Sequence, residues 1–338
     1  MKMKLLAAAV AATACGTQAF AAQVYNNEGT TLSIGGHVSV GVGEYDGGVN
    51  YDGSDEVQVN QVSPRINVAG SQDLGNGVVV DAKCEWSLNY LEGGDNSFAT
   101  RLGYIGATHD DYGRLVVGTQ WSPYYDVGGI ADLPIAFANN FLYDDQYDLG
   151  TARAERMVSY RNAFAIGDVG ELAMGLGWQG EHDMYDARIQ AGLTFSFSAF
   201  SIGYAYSGGD VGVGSQENAE SSIFSAKYGS YGSGLYVALV YAMNDYMNDG
   251  FAGGKVKDSD AYEALVAYGL GNGLNLSINY EAVEDNDDSD TVFSQTALQA
   301  EYNFTPKLVG FAGYQFDLGN DYNSDENDEW IIGARYYL

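Results

Sequence analysis

The stretch Val78-Val79-Val80-Asp81-Ala82-Lys83-Cys84-Glu85-Trp86-Ser87-Leu88-Asn89-Tyr90 decides the fold. Val78, Val80, Ala82, Cys84, Trp86, Leu88 and Tyr90 share one face of an extended chain; Val79, Asp81, Lys83, Glu85, Ser87 and Asn89 share the other. Successive side chains of a strand point to opposite sides, so this alternation predicts a strand with one apolar and one polar face. A soluble sandwich shows the same pattern with its apolar face in a core. Repetition with aromatic ends favours a membrane instead, because strands that cross lipid carry Tyr and Trp at the interfaces.

The alternation does repeat. Residues 31–43, TLSIGGHVSVGVG, set Leu32, Ile34, Val38, Val40 and Val42 against Thr31, Ser33, Gly35, His37, Ser39 and Gly41, and Ile66 and Val68 oppose Arg65 and Asn67. Further runs at 101–108, 114–121, 153–161, 171–178, 188–195, 197–206, 223–228, 235–243, 261–268, 274–282, 295–302, 308–316 and 330–338 bring the total to sixteen strands. Short turns such as Asn76-Gly77, Asp111-Tyr112-Gly113, Gly271-Asn272-Gly273 and Thr305-Pro306 alternate with long polar segments at 44–56, 208–221, 244–260, 284–290 and 317–329. Short turns at one rim and long loops at the other, with an even strand count, are the pattern of an outer-membrane barrel. Closure is required there, since lipid offers no partner to an unpaired backbone group. The reading is all-β: a transmembrane antiparallel β-barrel of 16 strands, forming a single domain over residues 22–338.

The amino terminus sets the compartment. Lys2 and Lys4, the apolar run Leu5 to Ala14 and the small-x-small site Ala19-Phe20-Ala21 predict a signal peptide over residues 1–21. Cys15 belongs to that apolar run, because Ala12-Thr13-Ala14-Cys15 lacks the Leu of a lipoprotein site. Cys84 is then the only cysteine left, so an intramolecular disulfide is excluded. A net charge of −30, made more negative by loss of Lys2 and Lys4, repels nucleic acid and favours cations as partners. Beyond residue 21 no apolar run reaches the roughly 18–20 residues of a membrane helix, whereas a membrane strand needs only about 9–11.

One segment breaks the rhythm. From Trp121 to Arg161 the chain is too long for a turn and carries Asp126, Asp132, Asp144, Asp145 and Asp148 among Tyr124, Tyr125, Phe137, Phe141, Tyr143 and Tyr147. A long irregular segment in a compact domain is usually functional or disordered, and so many aromatics argue for packing. Arg153, Arg156 and Arg161 follow in quick succession. The expectation is a loop folded into a channel, its acids opposed to arginines on the wall. Alternation also turns Asp81, Lys83, Glu85, Glu155 and Arg161 toward the lumen and Cys84 toward lipid.

Four stretches resemble a known family: Gln23-Val24-Tyr25-Asn26, the run from Arg65 through Gly70-Ser71-Gln72-Asp73-Leu74-Gly75-Asn76-Gly77, Arg101-Leu102-Gly103-Tyr104-Ile105-Gly106, and Tyr160-Arg161-Asn162. They are similar to the trimeric general diffusion porins of Gram-negative outer membranes, and the likeness spans the mature chain. The resemblance implies a third loop folded inward to narrow the pore and a basic wall facing its acids. Arg65, Arg101 and Arg153 match the basic cluster, and His37 falls near a wall position that is often basic. Ala131-Asp132-Leu133-Pro134 resembles the acidic segment of the loop, but Ile135 stands where a Glu commonly follows, leaving Asp132, Asp144, Asp145 and Asp148 as the expected negative side. The resemblance also implies a homotrimer in outer-membrane lipid and lipopolysaccharide, placed by the barrel assembly machinery and passing small hydrophilic solutes. Leu338 departs from the aromatic residue that ends the family's assembly signal.

Other chemistry is weaker. Glu284-Asp285-Asn286-Asp287-Asp288-Ser289-Asp290 lacks the central Gly and closing Glu of a calcium loop and reads as a solvated loop that collects divalent ions weakly. His37, His109 and His182 are too scattered to make a metal site by spacing, and no nucleophile motif or cofactor fingerprint is present. The expectation is a non-enzymatic, passive, water-filled channel without cofactor or metal, preferring cations. Its rivals are a surface adhesin working through the acidic loops and a substrate-selective channel lined by Tyr124, Tyr125 and Phe141.

Overall fold

The computed structural model describes residues 21–45, 56–91, 98–138, 141–182, 185–212, 217–250, 254–322 and 327–338. The expected leader up to residue 20, with Cys15, and most of the loop at 44–56 lie outside the described residues. The strands are β1 Ala22–Asn27, β2 Thr30–Glu44, β3 Gln58–Gln61, β4 Arg65–Gly75, β5 Val78–Leu88, β6 Phe98–His109, β7 Gly113–Trp121, β8 Arg153–Ile166 and β9 Gly170–Gln179. They continue as β10 Arg188–Phe197, β11 Phe200–Asp210, β12 Asn218–Ser230, β13 Ser233–Asp245, β14 Asp258–Gly269, β15 Leu274–Asp285, β16 Asp290–Thr305, β17 Leu308–Asp317 and β18 Glu329–Tyr337.

From β4 to β18 each strand pairs antiparallel with the next, and β18 closes the ring on β2 through pairs from Trp330↔Glu44 to Tyr337↔His37. The eighteen segments make sixteen staves. On one side of β2, β3 and β4 occupy successive parts of a single stave, interrupted at Val62–Pro64, where Ser63 takes a positive φ of 50° and Pro64 has no N–H to donate. On the other side, β1 pairs with the start of β2 and β18 with its end, so the two chain ends complete one stave, and the Leu338 amide still reaches Gly36 O at 3.1 Å.

Strand β14 shows the alternation best. Ser259, Ala261, Glu263, Leu265 and Ala267 are buried inside the barrel, while Tyr262, Val266 and Tyr268 are exposed outside. Ile105, Ile202, Leu239 and Leu298 extend the same exposed apolar band, a surface that water does not tolerate over so wide an area. Aromatic clusters edge the band at both ends. Phe197, Phe200 and Tyr228 stack near the short turns, and Tyr241 packs on Tyr262, and Tyr314 on Phe316, toward the long loops. Asn76 and Gly77 both adopt positive φ, as a two-residue hairpin turn requires.

The connection expected at 284–290 is shorter than the sequence implied. Strands β15 and β16 continue until only residues 286–289 remain, and the Asp285 carboxylate accepts the amides of Asp287 at 3.0 Å and Asp288 at 3.3 Å. The acidic run therefore caps its own hairpin.

Candidate functional site

The segment between β7 and β8 enters the barrel and docks on the inward faces of β11 to β16. Tyr124, Val127, Ala131, Phe141, Leu142 and Ala152 pack against Ala205, Ile223, Ala238, Val240, Ala242, Ala261 and Leu265. Small wall residues make room: a side chain at Gly203 would meet Val127 at 2.9 Å, and one at Gly313 would meet Phe137 at 2.9 Å. A buried loop must also satisfy its backbone, and here wall side chains do so. Ile135 N donates to Glu301 at 2.8 Å, Phe137 N to Gln299 at 3.1 Å and Phe141 N to Glu281 at 2.7 Å, while Tyr236 donates to Ile130 O at 2.6 Å.

Across the lumen the wall is charged. Glu85 on β5 is buried beneath Arg101 at 3.0 Å, Lys83 at 3.1 Å and Arg65 at 3.8 Å. Burying a carboxylate costs several kcal/mol unless cations offset it, so Glu85 fixes the surrounding basic groups in position. Arg335 on β18 adds another cation, donating to Ser39 Oγ and Val62 O at 3.3 Å each. Arg153, at the head of β8, donates to Gln146 at 2.7 Å and sits over the rings of Tyr147, Trp121 and Tyr143 at 5.1 to 5.6 Å.

A cavity of about 780 Å³ separates the two sides, bordered by Arg65, Arg101, Arg153 and Arg335 and, opposite them, by Asp132 and Pro134 to Ala138. Asp132 accepts the Tyr125 hydroxyl at 2.6 Å and that of Tyr143. Burial holds its carboxyl above the usual range, against the lowering pull of those hydroxyls and of Arg65 and Arg153. Asp132 is thus an acceptor fixed by two tyrosines and facing fixed cations.

The other expected acids lie elsewhere, which corrects the sequence expectation. Asp144 accepts from the Asp249 amide at 3.3 Å and from Asn248 at 3.4 Å, and burial pushes it up to about 6. Asp145 pairs with Lys255 at 2.9 Å and accepts from Tyr185 at 2.7 Å; these contacts outweigh its burial and hold it below the usual range. Asp148 meets His182 at 2.9 Å. The cause is local: Asp145 adopts a left-handed φ of 40°, and the one-turn helix Gln146–Leu149 gives Gln146 and Tyr147 to Arg153.

His37 pairs across the sheet with Arg65 but is buried against the Tyr337 ring rather than bordering the cavity. Arg161 binds Asp126 at 2.5 Å and Trp121 O at 2.7 Å, securing the base of the segment, and Asp81 pairs with Arg114. Glu155 lies 3.9 Å from His182. Of the aromatic run Tyr124, Tyr125 and Phe141, only Tyr125 borders the cavity; Tyr124 and Phe141 belong to the docking core. Arg335 was missed from sequence, although outward Trp330, Ile332 and Tyr336 placed it on the inner face.

A closed barrel with an apolar girdle and a polar lumen narrowed by its own chain is a membrane channel. The family model for Gram-negative porins matches residues 7–336, and the chain belongs to that family. It is 26% identical over 377 residues to outer membrane porin F of Salmonella typhi, covering 99% of each chain. The solved Salmonella typhi OmpF complex with daunomycin superposes with a TM-score of 0.74 at 19% identity, over 94% of this chain and all of the other. The trimer form of in-vitro folded OmpT from Vibrio cholerae superposes with a TM-score of 0.64 at 14% identity, over 91% and 99% of the two chains. The protein is therefore an outer-membrane porin, a non-enzymatic channel for passive diffusion.

Proposed function

We propose that small hydrophilic solutes cross at the cavity between Asp132 and the arginines, and that the channel prefers cations to a modest degree. The observation carrying this reading is the placement of Arg65, Arg101, Arg153 and Arg335 opposite Asp132 across one open space. Fixed charges of opposite sign facing each other orient polar solutes and disfavour apolar ones. The net charge of −30 gathers cations at the mouths, and the basic wall opposes that preference at the narrowest level. Asp81, Lys83, Glu85 and Arg161 act as supports that hold the wall and the docked segment. His37, Asp144, Asp145 and Asp148 have no direct part in the constriction.

Residues 1–21 serve as a signal peptide and the mature chain forms one barrel domain. The chain assembles as a homotrimer in lipid and lipopolysaccharide, a reading supported by the OmpT trimer form, with β18 read by the barrel assembly machinery despite its terminal Leu338. Reversal potentials across a salt gradient test the preference: a cation-favouring potential that grows when Arg65 and Arg101 are neutralised supports it, and an anion-favouring potential in the unmodified protein contradicts it.

A further inference from the structure

One of the residues that leave the constriction, Asp148, meets two others on its flank. Asp148 in the one-turn helix, Glu155 near the start of β8 and His182 in the β9–β10 connection bring one ligand atom each within 4.8 Å of one another. His182 Nε2 lies 2.9 Å from Asp148 Oδ1 and 3.9 Å from Glu155 Oε1. Its Nδ1 is 2.7 Å from Gly180 O. A carbonyl oxygen only accepts, so Nδ1 carries a proton, and the ring presents Nε2 to the two carboxylates. Metal-ligating histidines are held in this way, with the distal nitrogen anchored to a carbonyl.

Three polar groups converge on Nε2. The Gln179 amide nitrogen, itself a donor, stands 3.4 Å from Nε2. Carboxylate oxygens of Asp148 and Glu155 stand 2.9 and 3.9 Å from Nε2, and two carboxylates converging on one point call for positive charge there. Donors sharing one ion at roughly 2.0–2.2 Å lie about 3–3.5 Å apart, so small side-chain shifts bring the Asp148 and Glu155 oxygens, now 2.9 and 3.9 Å from Nε2, onto one ion with it. The imidazole is 1% exposed and the two carboxylates 24% and 36%, which leaves an open face for water ligands. The buried Arg188 guanidinium also attracts Asp148, so an ion shares that carboxylate with it.

We propose that Asp148, Glu155 and His182 form a site for a divalent transition-metal ion of zinc type. One imidazole nitrogen and two carboxylate oxygens suit such an ion better than calcium or magnesium, which take oxygen ligands. Asp148 shares its helical turn with Gln146 and Tyr147, which hold Arg153, while Glu155 follows Arg153 on the wall. Occupancy therefore fastens the constriction segment to the barrel beside the pore.

Cobalt(II) is the probe, titrated into the folded, detergent-purified mature protein with excess magnesium to occupy the acidic loops. The expected result is one tight cobalt per chain with visible absorption bands, displaced by zinc. His182→Ala and Asp148→Asn each weaken binding at least about tenfold, while His109→Ala leaves it unchanged. Heat-modifiable migration confirms that each variant is folded. Equal affinity in His182→Ala and the unmodified protein overturns the proposal. So does the absence of any cobalt band in the unmodified protein, which means that a proton alone bridges His182 and Asp148. The binding readout does not depend on how the pore conducts.

Discussion

Two walls of one lumen are built in opposite ways. The inward faces of β11 to β15 carry Ala205, Ala238, Ala242, Ala261 and Leu265 and bury apolar side chains of the segment between β7 and β8. The inward faces of β4, β5, β6, β8 and β18 carry Arg65, Lys83, Glu85, Arg101, Arg153 and Arg335 and leave the space before them open. The first wall is apolar outward to lipid and mixed inward, where its Ala and Leu side chains pack the segment and polar ones such as Glu281 hold its backbone. The second is apolar only outward. A barrel thus decides which side of its lumen conducts by where it places small apolar residues on the inner parity of its strands.

The largest expected effect comes from removing what the apolar wall holds. Deleting Pro134 to Asp145 joins the cavity to the space the segment occupies, and single-channel conductance should rise about twofold or more. Phe141→Ala tests the docking itself: losing a buried aromatic costs about 3–5 kcal/mol, so the segment should undock intermittently and open-channel noise should increase while the barrel stays folded.

The charged wall is probed by smaller steps. Replacing Arg65 and Arg101 by Ala should shift the cation-to-anion permeability ratio upward by about twofold, read from reversal potentials. Asp132→Asn should move it the other way and by less. Because burial raises the Asp132 carboxyl, acidification should bring the unmodified channel toward the variant, and identical pH profiles would remove Asp132 from the conducting path.

The smallest effect concerns the flank of the docked segment. Asp144 is raised to about 6, so between the usual Asp range and that value the folded state binds more protons than the unfolded one. Docking should be strongest below that window and weaken as pH rises through about 6, by on the order of 1–2 kcal/mol. Hydrogen exchange of residues 141–150 across this range should show the dependence, and Asp144→Asn should abolish it.

The strands were legible because period 2 is a local property: every run read from alternation falls largely on a strand of the barrel, although the run at 197–206 crosses the turn before β11 and those at 78–90 and 330–338 outlast β5 and β18. The same rule placed Arg65, Lys83, Glu85 and Arg101 on the inner face and, applied to Trp330, Ile332 and Tyr336, would have placed Arg335. It fails where the chain stops being a strand. Asp144, Asp145 and Asp148 belong to one acidic run in sequence, yet a left-handed residue and a single helical turn carry them to Asn248, Lys255 and His182. No periodicity encodes those partners, since they come from the β9–β10 and β13–β14 connections. The shared stave of β1 and β18 was hidden for a related reason, because it joins residues at opposite ends of the chain.

The central claim is that the docked segment and the arginines opposite it bound the conducting path. Single-channel recording of the purified mature protein in a planar bilayer, under a salt gradient and beside the Pro134 to Asp145 deletion, tests it most directly. The account predicts open, cation-favouring channels in the unmodified protein and larger conductance in the deletion. Equal conductance in the two, or a folded barrel that passes no current, would contradict it.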